Sequence, residues 1–387
     1  MKKIAVVISL FLVLGILVCL LIPKFLEMTD SSDAIAVSGE SVDAGQNGAE
    51  CEDTFVIMYT PDGKQKEVPL SQVEEHKQKD WYEEPVVVMY QKDGNYEIVP
   101  TAQVEQKQEE GLLLEPVAQM VKGNQSQEVA SSEVEAYRKD GWQLRSYCVG
   151  LPELSEKIES YLQTKAGKHG VYVKNLDTGD FLVLNDGKYH AASVIKLYQM
   201  AAIYQEAQRG ELTIDADITS YLYDMITLSD NFAFNQLVGI LGNWNYRTGF
   251  DKVNQYAQSL GYVNTQMLCL LRDAGYFVAY GYNYVSPYEC GQTLEQIYRR
   301  TLVSPEYSDE MLALLKQQTK RHKIPYSLPE NVECANKTGE TSTIENDVAI
   351  VYSPNCDYII CVMTNDAPSG IWDIREISEM TYQYFNS

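Results

Sequence analysis

A serine followed three residues later by a lysine on one helix is able to carry out acyl transfer, and Ser193-Val194-Ile195-Lys196 has that spacing. Residues three apart share a helix face, so the Lys196 amine is expected beside the Ser193 hydroxyl at the start of the helix. A lysine buried near other cations loses its proton more readily, and the neutral amine then takes the serine proton and makes Ser193 a competent nucleophile. Two tripeptides follow in order, Ser229-Asp230-Asn231 and Lys337-Thr338-Gly339. Each alone carries little: Ser193 reads equally as a helix cap, Asn231 as a core hydrogen-bonding residue and Lys337 as a surface charge. An SxxK run arises by chance about once in such a chain and each tripeptide in roughly one chain in ten, so their joint, ordered occurrence is the signal. Backbone N–H groups at the helix start, with one from the strand after Lys337, at Glu340, would hold the oxyanion formed at Ser193.

The scaffold for these residues is expected in 148–387. Gly170-Val171-Tyr172-Val173-Lys174 and Phe181-Leu182-Val183-Leu184 flank Asp177-Thr178-Gly179 as a hairpin. Ser193 to Gln208 and Tyr221 to Ile240 read as helices, the second around a polar centre, and Ile374 to Tyr384 as a closing helix. Val348 to Tyr352 and Tyr358 to Thr364 read as strands. The grouping predicts an α+β fold, an antiparallel sheet with helices beside it. Ahead of it, 54–147 holds three repeats of about 31 residues, marked by Met58, Met89 and Met120 at a constant interval, each reading as two short strands and a short helix. One such unit cannot cover its own apolar face, so the three are expected to stack, as a spacer or as a surface for wall glycan or a partner protein.

In its three motifs and their order, the region from Gly170 to Tyr384 resembles the class A β-lactamase and penicillin-binding superfamily, whose signatures are SxxK, SDN and KTG. Ala192 before the nucleophile, Asn235 after the SDN motif and Asn346-Asp347-Val348-Ala349-Ile350-Val351-Tyr352 add to the likeness. The resemblance implies a β-lactamase-like domain: an antiparallel sheet flanked by terminal helices, a helical lobe, and the site between them. It implies that Ser229 relays protons, that Asn231 holds a substrate amide, and that Lys337 and Thr338, followed by Gly339, receive a substrate carboxylate. The implied substrates are β-lactams or acyl-D-Ala-D-Ala-like wall peptides. Two departures stand out. Class A enzymes deacylate with a Glu in an E-x-x-L-N stretch, which is missing here; Asp273 is the one carboxylate between Thr265 and Tyr288 and the weak candidate for that role. Without such a group an acyl-enzyme turns over slowly, as in a penicillin-binding protein or a sensor. The interval from Ser193 to Ser229 is also short for class A, which implies a reduced helical lobe. Glu340 sets a carboxylate next to Lys337, with strand alternation expected to turn it away.

Composition narrows the remaining choices. A formal charge of -23 argues against nucleic acid, which needs clustered Lys and Arg, and no such cluster is expected. The 28 tyrosines suit either the surface of a secreted protein or sugar and peptide contacts. No CxxC pair occurs and the four histidines are scattered, so neither metal nor other cofactor is expected. Met1-Lys2-Lys3 precedes Ile4 to Ile22, which carries no charge. This run, in 1–24, reads as a membrane anchor with the rest of the chain outside, in preference to a cleaved signal peptide and secretion. An acidic linker follows in 25–53. Cysteines beyond the anchor are open to pairing in an oxidising compartment, Cys269 with Cys290 among the options.

Overall fold

The computed structural model describes residues 55–272 and 278–387. The expected anchor (1–24), the linker (25–53), Cys51 and Asp273 lie outside the described residues. No helix of the described residues is long and apolar enough to cross a membrane.

Three hairpin–helix units come first. β1 (Phe55–Tyr59) and β2 (Gln65–Pro69) pair antiparallel and lead into α1 (Val73–Lys77). The arrangement recurs in β3 (Val86–Tyr90), β4 (Tyr96–Pro100) and α2 (Val104–Glu109), then in β5 (Val117–Lys122), β6 (Gln125–Ala130) and α3 (Val134–Lys139). Strand alternation turns one methionine per hairpin inward, and Met58, Met89 and Met120 are fully buried. In the first unit Met58 packs on Val68, Val73 and Trp81, a core too small to stand alone. Each unit therefore pairs with the segment that follows its helix: Tyr59 bridges Tyr82, and Tyr90 bridges Leu113. At the corresponding place in the third unit the contact lengthens into a full strand, β7 (Gln143–Val149), which pairs with β5 on one side and with β9 (Phe181–Leu184) on the other.

That strand joins the third unit to the main sheet. With β8 (Lys168–Asn175), β12 (Glu333–Glu340), β13 (Glu345–Tyr352) and β14 (Asp357–Asn365), the eight-stranded order is β12-β13-β14-β8-β9-β7-β5-β6, antiparallel throughout. The boundary expected between 147 and 148 falls inside β7. Gly94, in the turn of the second hairpin at φ +93°, docks against the end of the same strand: a Cβ there would lie 2.2 Å from the Cys148 carbonyl oxygen, and the Gly94 carbonyl accepts from Gly150 N–H at 2.8 Å.

Alternation sorts the central strands between two cores. Val171, Val173, Ile360 and Val362 face α4 (Pro152–Leu162) and α11 (Gly370–Asn386) through Leu154, Ile158, Ile374 and Ile377. Tyr172, Val348, Ile350, Ile359 and Cys361 face the opposite way, into the core that also holds the buried residues of α5 (Lys196–Gln208), α7 (Asn231–Leu241), α8 (Tyr246–Ser259), α9 (Pro287–Tyr298) and α10 (Pro305–Lys316), with α6 (Ala216–Tyr223) preceding α7. Burial on both faces explains the nearly unbroken apolar runs of β13 and β14.

Two expected helices differ in the structure, and one optional cysteine pairing is not made. The helix expected from Tyr221 to Ile240 is broken: α6 ends at Tyr223, a π-helical turn covers Asp224–Leu228, and Ser229 adopts the left-handed conformation at φ 61°. The cause is local capping, because the Asp230 carboxylate accepts from Ala233 N–H at 2.7 Å and starts a new helix. Likewise, Ala192–Ile195 forms a 3₁₀ turn and α5 proper begins at Lys196. The Cys269–Cys290 link does not form: all six described cysteines are free, and Cys290 Sγ, buried in α9, accepts instead from the Tyr198 hydroxyl at 3.3 Å.

Candidate active site

Ser193 stands in the 3₁₀ turn that follows β10 (Tyr189–His190), a short strand paired with β11 (Tyr284–Val285). Ala192, immediately before it, has φ 45°, a conformation that costs energy for a residue with a Cβ and sharpens the bend presenting the serine. The edge strand β12 passes directly behind. A Cβ on Gly339 would lie 2.7 Å from Ala191 O and 3.1 Å from Ser193 N, so only glycine lets the strand approach the Ser193 turn this closely. Asn346 fastens the contact from β13, donating to the carbonyls of His190 at 2.8 Å and Ala191 at 3.2 Å.

Lys196 is fully buried. Its Nζ lies 3.1 Å from Ser193 Oγ, 2.7 Å from Ser229 O, 2.8 Å from Asn231 Oδ1 and 3.4 Å from Ser229 Oγ. Burial, reinforced by the nearby Lys337 cation, pushes its pKa well below the ordinary lysine value. A neutral amine has two hydrogens and one lone pair. The Ser229 carbonyl accepts only. Asn231 presents its oxygen, because its Nδ2 donates to Arg272 O at 2.7 Å. These two acceptors take both amine hydrogens and leave the lone pair for the Ser193 hydroxyl, the arrangement a general base requires.

Ser229 links this pair to a second lysine. Lys337 Nζ donates to Ser229 Oγ at 2.8 Å and to Thr338 O at 2.9 Å, so one hydroxyl lies between the two amines. Burial first, then the cations of Lys320 and Lys323, bring Lys337 down to about 7, although Asp347 opposes the fall. The Thr338 hydroxyl is buried without a hydrogen-bond partner, a polar atom left to be satisfied by an incoming group. Glu340 turns to Lys320 at 2.5 Å, His322 at 3.3 Å and Lys323 at 3.5 Å. Against the cost of partial burial, these cations hold its carboxyl down to about 2.

A cleft of about 580 Å³ opens before Ser193, with Asn231, Leu270, Arg272, Tyr282 and Glu340 among its walls. Its far side is the segment ending at Arg272, fixed by asparagines: Asn235 exchanges hydrogen bonds with Leu271 at 2.9 and 3.1 Å, while Asn283 accepts from Leu268 and Cys269 N–H at 2.7 and 3.0 Å. Glu340 is the one carboxylate among the described lining residues, and its charge is already paired.

The structure thus gathers Ser193, Lys196, Ser229, Asn231, Lys337, Thr338, Gly339 and Glu340 around one turn. Ser193, Asn231 and Glu340 face the cleft, Lys196 and Lys337 sit behind it, and Asp273 lies outside the described residues. Sequence reasoning missed Lys320 and Lys323. Lys320-Arg321-His322-Lys323 is a run of four basic residues in an acidic chain, so the statement that no basic cluster exists is corrected. The cluster serves inward: Lys323 is fully buried, donates to Gly339 O at 3.1 Å and Asn346 O at 3.2 Å, and pairs with Glu345 at 2.6 Å. Also missed was His190, which lines the cleft with its ring 4.4 Å from that of Tyr282.

Comparison with known proteins bears on the region around this site. The model of a family described as the beta-lactamase enzyme family matches residues 153–385. Among solved structures, PBP-A is 26% identical with a TM-score of 0.54, over 61% of this chain and 97% of that one. A PBP-A mutant in an acyl-enzyme complex with penicillin G matches equally well. A beta-lactamase from Sphaerobacter thermophilus DSM 20745 is 21% identical with a TM-score of 0.53, over 60% of this chain and 97% of that one. No curated protein matches the chain.

Proposed function

From the premise that this chain belongs to the beta-lactamase enzyme family, we propose that it is an active-site-serine hydrolase that forms an acyl-enzyme on Ser193 with β-lactams or D-Ala-D-Ala-like wall peptides and releases the acyl group slowly. One observation carries the reading: the buried Lys196 Nζ lies 2.7 Å from Ser229 O and 2.8 Å from Asn231 Oδ1, both acceptors, and 3.1 Å from Ser193 Oγ, which a neutral amine would meet with its lone pair. Attack by Ser193 on the carbonyl carbon breaks the lactam or peptide C–N bond. The serine proton passes to Lys196 and then, by way of Ser229 Oγ, to the leaving nitrogen. Lys337 and the unpartnered Thr338 hydroxyl receive the substrate carboxylate, and Asn231 its amide. The acyl-enzyme of a PBP-A mutant with penicillin G supports the same donor class here.

Slow release is supported by the cleft, where Glu340, the one carboxylate among the described lining residues, is paired with Lys320 and Lys323 and held down to about 2, a poor base for water. This favours, as second reading, a penicillin-binding sensor with little turnover. Fluorescent penicillin separates the outcomes. Label that forms on the wild type, is lost in Ser193→Ala and persists for hours supports acylation with slow release; decay within minutes makes the protein an efficient hydrolase; absence of label on the wild type refutes acylation. The apolar run 4–22 further supports a single-pass anchor with the folded regions outside, the first two hairpin–helix units serving as a spacer. Protease added to intact cells removes the folded regions if this is so and leaves them untouched if it is not.

A further inference from the structure

A buried ion cluster outside the catalytic machinery reaches the active-site cleft from behind. Arg138, on α3 of the third hairpin–helix unit, lies ahead of the family match, yet its side chain is only 2% exposed. Nη2 donates to Glu289 Oε1 at 2.9 Å and lies 3.8 Å from Asp186 Oδ2, while Nη1 donates to Glu135 at 2.9 Å. Its guanidinium carbon stands 4.6 Å from the centre of the Tyr288 ring. Glu289, fully buried on α9, accepts at Oε1 from Val263 N–H at 2.8 Å and Asn264 N–H at 2.9 Å, and at Oε2 from Thr265 N–H at 2.8 Å and the Thr265 hydroxyl at 2.7 Å. Thr265 opens the segment whose far end, Leu271 and Arg272, is held by Asn235 and Asn231 at the cleft. The connection from the third unit to the residue that orients Lys196 is therefore continuous.

We infer that Arg138 is a positioning residue of the active site, acting through Glu289 on the cleft wall that ends at Arg272. A buried charge whose partner is removed is left uncompensated, and the structure around it loosens. Arg138 fixes the Glu289 carboxylate in place against the N–H groups of residues 263–265. The family-like domain thus depends on a cation supplied by the preceding repeat.

The kinetic arm of the test rests on the acylation reading above; the exchange arm does not. In the full chain, Arg138→Met is expected to speed amide hydrogen exchange about tenfold at residues 263–265 and 268–271 and leave the amides of β8 and β14 unchanged. The penicillin concentration giving half-maximal acylation should rise about tenfold, with the limiting acylation constant within about twofold, because Ser229 still holds Lys196. Arg138→Lys, which retains the charge, should recover most of the exchange protection. Unchanged exchange in these segments, or uniform acceleration across the sheet, overturns the inference. If Arg138→Met does not fold, Glu289→Gln takes its place and must loosen residues 263–265 selectively, failing which the inference falls. Should the wild type not label, the acylation reading fails alone and exchange still decides.

Discussion

Two clusters of buried charge lie on this chain and are used in opposite ways. Around Ser229, Lys196 and Lys337 share one hydroxyl; the acceptors nearest Lys196 are neutral oxygens, and Asp347, which favours charge on Lys337, does not outweigh burial and the neighbouring cations. Around Glu289, one guanidinium meets two buried carboxylates and the exposed Glu135, and backbone N–H groups take up the remaining acceptors of Glu289. Burial penalises charge in both, but like charges add to the penalty and opposite charges offset it. The first cluster therefore favours neutral amines and is suited to chemistry. The second keeps its guanidinium charged and serves as a clamp.

If that division is right, single substitutions separate activity from stability. Lys196→Met removes the base and should slow penicillin acylation by about a thousandfold or more, with the denaturation midpoint unchanged or raised, since a costly buried amine has gone. Acylation at the wild-type rate would assign the base elsewhere. Glu289→Ala is the converse, leaving Arg138 buried with its main partner gone: chemical denaturation should give a loss of about 3–5 kcal/mol. A loss under about 1 kcal/mol would mean that the clamp holds little.

That the residues around Ser193 come together was largely legible in the sequence, because SxxK, SDN and KTG are local signatures whose spacing reflects one helix, one cap and one strand. The helix expected from Tyr221 to Ile240 failed for an equally local reason: its apolar period continues across the motif, while the Asp230 cap and the left-handed Ser229 interrupt the backbone. The clamp was not legible. Arg138 and Glu289 stand 151 residues apart, and in sequence Arg138 is an ordinary charge on a short amphipathic helix. Nor does the repeat pattern reveal that β7, unlike its counterparts around Tyr82 and Leu113, continues into the main sheet; that depends on β9 being present to pair with it.

The pH dependence of acylation sharpens the contrast further. Lys337, brought down to about 7 by burial and neighbouring cations, is charged below that value and neutral above it. If its charge receives the substrate carboxylate, the second-order acylation constant should fall about tenfold per pH unit above 7, since that constant reports the free protein. Lys337→Arg stays charged throughout and should lose the descending limb. A limb that persists in this variant belongs to another group.

The smallest effect concerns the less satisfied carboxylate of the clamp. Asp186 Oδ1 accepts from Tyr288 N–H at 3.0 Å, but Oδ2 is buried without a hydrogen bond, Arg138 being 3.8 Å away. Burial, only partly offset by Arg138, raises its pKa from 3.8 to about 6. A raised carboxylate pKa means that the folded state binds the proton more tightly than the unfolded one. Stability should therefore fall as pH rises from about 4 to about 6 and then level off, with Asp186 responsible for about 3 kcal/mol. Asp186→Asn, neutral at every pH, should flatten that part of the curve while leaving acylation at pH 7 within about twofold. Thermal unfolding of the two proteins across this range is the measurement. An unaltered slope in the variant would assign this pH dependence to another group and mean that Arg138 offsets the burial of Asp186 in full.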